Sequence, residues 1–131
     1  DGALETAYDD QGDADDVITW GQIAANVDGS AEAVDANGGT VEAIMLDGSE
    51  LAVADFDDIS LVVAELEEEV TLTAATGEDL LVVIEDTATN DFGAWLYVET
   101  GGVADQFDVA DLTLLGIFTA DAVAAGDFAI V

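Results

Sequence analysis

Asp9, Asp10, Asp13, Asp15 and Asp16 crowd into one short segment, YDDQGDADD, around Gly12. Carboxylates at alternate positions beside a glycine are the ingredients of a calcium loop, because several oxygens must converge within ~2.5 Å of one ion. The order is not that of an EF-hand, since D-x-[DN]-x-[DN]-G is not met and no Glu closes the loop. The competing reading is a solvated acidic segment. A second cluster, Glu85, Asp86, Asn90 and Asp91 in EDTATND, suits either an ion or an Asx-rich turn. A third, ETGGVADQFDVAD, carries Glu99, Asp105, Asp108 and Asp111, of which Asp105 and Asp108 join the candidate ligands. Calcium is the expected ion, and no organic cofactor is expected. The run Glu65, Glu67, Glu68 and Glu69 reads as an exposed strand segment that guards a sheet edge with charge.

The remaining chemistry is narrow. Without His, Cys, Lys or Arg, most nucleophile–base pairs and phosphate clamps cannot be assembled. Carboxylate chemistry of the glycosidase or aspartic-protease kind is left. Asp28-Gly29-Ser30 and Asp47-Gly48-Ser49 echo an Asp-Ser/Thr-Gly loop in the wrong order, and Asp-Gly has a sufficient reason in a turn. The expectation is a protein that is not an enzyme.

The elements that must carry these groups belong to an unusual polyanion. The chain has 131 residues, 31 Asp and Glu, and a formal charge of -31. High charge with low hydrophobicity would mean disorder, but 51% of the residues are hydrophobic and the acids are interleaved with them. No side-chain ion pair can form, so every carboxylate repels the others and compaction costs free energy. Bound cations, a saline medium or low pH relieve that cost. Nucleic acid is excluded as a partner, because its binding needs Lys and Arg. No apolar run is long enough for a membrane helix, and no signal peptide is visible. A start at Asp1 rather than Met suggests a processed product or a segment of a longer protein. The absence of Cys permits an extracellular life without oxidative folding.

Proline is absent, and turn signals recur at Asp28-Gly29, Asn37-Gly38-Gly39, Asp47-Gly48, Thr76-Gly77, Asn90-Asp91 and Gly101-Gly102. Their spacing predicts an all-β fold, an antiparallel β-sandwich or jelly-roll-like domain with at most short helical turns. EAIMLDGSELAV predicts a hairpin, with Ile44 and Leu46 before Asp47-Gly48 and Leu51 and Val53 after it. Residues 59–74 predict one long β-rich stretch in which Val70 and Leu72 alternate with Thr71 and Thr73. DLLVVIED predicts a strand buried on both faces. AWLYVET, DLTLLGIFT and DFAIV follow as strands, and TADAVAAG as a helical turn ending at Gly126. DDVITWGQIAANV reads as a helix capped by Asp15 or Asp16 or as two short strands around Gly21. The β-formers Val17 to Trp20 favour strands. The chain is read as a single β domain over 1–131, with 1–36 an extended, partly separate N-terminal segment. D-G-S-x-x-A-V occurs at 28–34 and 47–53, a pair too small for a solenoid array. Trp95 and Tyr97 share one strand face, which suits core packing more than a carbohydrate platform.

From Trp95-Leu96-Tyr97-Val98 through Gly101-Gly102 and Leu114-Leu115-Gly116 to Asp127-Phe128-Ala129-Ile130-Val131, the C-terminal part resembles the ends of repeats-in-toxin (RTX-type) proteins secreted by type I systems of Gram-negative bacteria. The resemblance covers about residues 94–131. It implies an uncleaved C-terminal export signal, an extracellular or cell-surface destination and calcium-assisted folding. The nonapeptide G-G-x-G-x-D-x-U-x is not met: GGVADQFDV has Ala104 where Gly belongs and Asp105 one place early. A calcium β-roll is therefore not expected, and any ions would sit in loops or between subunits. The resulting expectation is a secreted, calcium-stabilised structural protein that self-associates into a filament, surface layer or matrix. Asp127, Phe128, Ala129, Ile130 and Val131 are its subunit-contact or export residues. An adhesive or ligand-binding terminal module of a large adhesin, and a halophilic soluble β domain, are the alternatives.

Overall fold

The computed structural model describes residues 20–24, 31–39, 41–47 and 51–121. They form seven strands: β1 (Trp20–Ala24), β2 (Glu32–Asp35), β3 (Ala43–Asp47), β4 (Val70–Thr73), β5 (Asp79–Asp86), β6 (Asp91–Val98) and β7 (Leu112–Thr119). One helix, α1 (Ile59–Glu69), stands between β3 and β4. The fold is all-β in class. β1-β3-β5-β6-β7 make a five-stranded sheet, and β2-β4 a two-stranded one.

The pairing is mixed. β1 with β3, β3 with β5 and β2 with β4 are parallel, whereas β5–β6 and β6–β7 are antiparallel. Parallel neighbours cannot be joined by a tight turn, so the chain needs crossovers. It makes them by winding between the two sheets. β1, β3 and β5 go to the large sheet, and β2 and β4 to the small one. Ala43 lies opposite Leu81 and Glu32 opposite Val70, the same offset of 38 residues in both sheets. Trp20 lies opposite Ala43, an offset of 23. The longer second winding accommodates α1.

This winding replaces the hairpin expected at Asp47-Gly48. β3 is flanked by β1 and β5, both parallel, so no place beside it remains for Leu51 to Val53. Val53 instead opens a short 3-10 turn, Val53–Asp55. The two copies of D-G-S-x-x-A-V thus differ in their described residues, since Val34 is buried in β2 and Val53 opens a 3-10 turn. Ala43, Ile44, Met45 and Leu46 are all buried, as a central parallel strand requires.

Residues 59–69 are helical, not extended. Ile59, Val62, Val63, Leu66 and Val70 recur at helical spacing and pack into or against one core cluster. Asp58 caps the start, its Oδ1 accepting from the Ser60 amide at 3.1 Å. The glutamates therefore do not guard an edge. They crowd the C-terminal end of α1, where the helix dipole disfavours negative charge. The chain passes directly into β4, where Val70 and Leu72 are buried and Thr71 and Thr73 exposed, the predicted alternation.

The main core lies where the large sheet meets β2, β4 and α1. It joins Val34, Leu72, Val62 and Leu66 to Ile44, Leu46, Val82, Ile84, Trp95 and Tyr97. Phe56 meets Trp95 edge to face, centroids 5.3 Å apart. The Trp95 ring lies over Gly93, where an added Cβ would stand 2.1 Å from Cη2. A second cluster, Ala43, Met45, Leu81, Val83, Phe92 and Ala94, occupies the other side of the sheet. Phe92 stacks there on Phe118 at 5.5 Å. Trp95 and Tyr97 do share a face, but both are wholly buried, so they are core and not a carbohydrate platform.

Candidate functional site

The acids of the large sheet sit at the ends of its strands. Glu42 immediately precedes β3, Asp79 begins β5, Glu99 follows β6 and Asp111 precedes β7. The strand directions bring these four to one rim, and backbone bonds join their neighbourhoods. The Leu81 amide donates to the Glu42 carbonyl, Glu99 to Glu78, and Val98 to Asp111. All four are buried, at 3%, 9%, 1% and 4% exposure, in a chain without a single side-chain cation. Burying a carboxylate is costly unless donors surround it.

Local donors supply part of that need. Glu99 Oε2 accepts from the Tyr97 hydroxyl at 2.7 Å and Oε1 from the Gly101 amide at 2.7 Å. Gly101 has φ 89°, a backbone conformation suited to glycine, and this aims its N–H back at Glu99. Burial, and then the neighbouring Glu99 carboxylate, push the Tyr97 phenol far above its ordinary range. Asp111 Oδ1 accepts from the Thr100 hydroxyl, whereas its buried Oδ2 has no hydrogen-bond partner.

At the opposite rim lies the β5–β6 turn with Glu85, Asp86, Asn90 and Asp91. Asp86 faces Asp91 across the hairpin. Asp86 is buried, and its carboxylate accepts from the amides of Val53 and Ala88, each at 2.9 Å. These bonds hold the Asp86 pKa below its ordinary value. Asn90 takes φ 55°, and the Thr119 hydroxyl donates to Asp91. Much of this cluster is thus spent on an Asx-type turn.

Asp105 and Asp108 lie on the loop between β6 and β7. Asp105 Oδ1 accepts from the Ala74 amide and Asp108 Oδ1 from that of Ala110, both at 3.0 Å. From α1, Glu67 reaches the Phe107 amide at 2.6 Å and seats Phe107 edge to face on Tyr97. No group of three or more acidic side chains converges as a metal cage among the described residues. Asp9, Asp10, Asp13, Asp15 and Asp16, and Asp127, Phe128, Ala129, Ile130 and Val131, lie outside those residues.

The counterpart of the acidic clusters is where acids are lacking. The longest acid-free run of the chain is 17–27, eleven residues, and the second is 112–120, nine residues. The first contains β1 and the second β7, the two terminal strands of the large sheet among the described residues. Edge strands are ordinarily blunted by charge. Here, in a chain of 31 acids, both edges carry none. β7 exposes Leu115 (49%) and Ile117 (46%). Its one irregularity is a bulge, where Leu115 is the extra residue between Leu114 opposite Trp95 and Gly116 opposite Ala94.

No helix among the described residues is long and apolar enough to cross a membrane. No protein-family model matches the chain, and neither a curated protein nor a solved structure is significantly similar to it.

Proposed function

We propose that this chain is a structural subunit, exported from the cell, that assembles into an extracellular filament, surface layer or matrix through its sheet edges. One observation carries the reading: both terminal strands of the large sheet coincide with the longest acid-free runs of a -31 chain. Association must overcome repulsion between copies, and a neutral edge is where two such bodies approach at least cost. Strand addition supplies main-chain hydrogen bonds without needing a cation. Calcium enters as the ion that neutralises facing carboxylates between copies. The RTX-type C-terminal pattern supports export, and no catalytic role is assigned.

The test is particle size and electron microscopy at pH 7, with millimolar calcium and then with EDTA. Ordered particles that disperse on chelation are expected. A monomer under both conditions would overturn the assembly reading. Particles indifferent to EDTA would remove calcium and leave assembly standing.

A further inference from the structure

We infer that the joint is head to tail: β7 of one copy pairs, in parallel, with β1 of the next. This rests on the assembly reading above and specifies its geometry. β1, β3 and β5 run one way, β6 runs back, and β7 reverses again, so β7 points in the same direction as β1. A second copy placed beside β7 in the same orientation therefore presents its β1 in parallel, with the two faces of its sheet on the same sides. The sheet continues through the joint, and each joint uses one edge of each kind.

Electrostatics favours this pairing. Nine extended residues span about 30 Å, so the middle of the run lies about 15 Å, roughly two Debye lengths at physiological salt, from the acids that flank it at Asp111 and Asp121. The run at β1 is longer still. A two-fold β7–β7 joint would close as a dimer and give no role to the acid-free run at β1. A heterologous joint requires both edges to be neutral, and it propagates as an open fibre with all subunits pointing one way.

The chain lacks Cys, so introduced cysteines report without background. Thr113→Cys, at an exposed position of β7 in register with Leu96, is prepared separately from Gln22→Cys and Ala24→Cys in β1, which are in register with Met45 and Asp47 and so share that sheet face. Each variant is checked by circular dichroism, and β7 and β1 variants are then mixed and oxidised under assembly conditions. Adjacent strands lie ~4.8 Å apart, within the ~4.4–6.8 Å Cα separation a disulfide accepts. The expected product is a mixed β7–β1 dimer, with little dimer in any variant alone. Dimers of a β7 variant with itself, and none mixed, would overturn the head-to-tail joint while keeping assembly. Particles that form without any edge disulfide would also overturn it. Absence of particles in the parent protein would remove the assembly reading itself. Ile117→Asp, which places a charge on the β7 edge, is expected to abolish fibres and leave a folded monomer; unchanged fibres would count against the joint.

Discussion

The Tyr97 hydroxyl stands 2.7 Å from Glu99 Oε2, and both side chains are buried to within 1% of completeness. In a chain without side-chain cations, this phenol takes the part an arginine usually plays. Tyr97→Phe leaves a buried carboxylate oxygen without that donor and is expected to cost about 1.5–3 kcal/mol, the range for hydrogen bonds to charged groups. Chemical denaturation followed by Trp fluorescence measures it.

The same pair sets an alkaline limit. Above the ordinary phenol value of 10.0 the unfolded chain gives up the Tyr97 proton and the folded chain keeps it. The folded state then binds more protons, so stability is complete below that pH and declines as pH rises past it. Denaturation midpoints across the alkaline range should fall more steeply in the parent protein than in Tyr97→Phe.

Asp86 works in the opposite sense. Its folded pKa is depressed below 3.8 by the Val53 and Ala88 amides. Its contribution is present above 3.8 and is lost as pH falls through the lower folded value. Asp86→Asn is expected to cost about 1.5–3 kcal/mol near neutrality. The gap from the parent protein should narrow below that range. An equal gap at all pH values would show that the charge is irrelevant.

Gly93 is the only residue type that fits under Trp95. With a Cβ 2.1 Å from Cη2 and 2.9 Å from Phe56 Cδ2, Gly93→Ala must move the indole or the strand. Overpacking of this kind costs about 1–3 kcal/mol, occasionally more. A shifted Trp emission spectrum should accompany the lower midpoint.

Glu67 ties α1 to the loop before β7. Glu67→Ala removes the acceptor of the Phe107 amide. Hydrogen exchange at that amide should accelerate at least as much as at any other position in the loop. Glu67→Gln, which keeps an acceptor, should restore most of the protection.

The strands from β5 onward were legible because their patterns are unambiguous. Leu80 to Ile84 form a continuous apolar run, and Trp95, Tyr97 and Leu112 face one cluster. α1 was not legible because Ile59, Val62 and Val63 are strand formers by type. Only their spacing, together with Asp58 as a cap, marks a helix. The parallel winding left no local trace. Alternation says which face a residue occupies but not which strand lies beside it, and Asp47-Gly48 carried a hairpin signal that the central position of β3 overrules. The candidate ligands were visible as residue types, but hydrogen bonds to nearby amides, seen only in three dimensions, account for several of them. The acid-free runs can be counted in the sequence. Their meaning depends on sheet order, which places both at edges.

The two kinds of pairing also set a timetable. Asp86 meets Asp91 across a short turn, while Ala43 must find Leu81 from 38 residues away. Closing the longer loop costs about 2 kcal/mol more by chain entropy alone. The β5–β6–β7 meander is therefore expected to gain amide protection first in pulse-labelled refolding, with β3 and then β1 added to the waiting side of β5. Early protection of β1 and β3 would reverse that order. On that order the sheet closes only after its C-terminal strands have paired, so the β1 amides are expected to be the last of the sheet to gain protection.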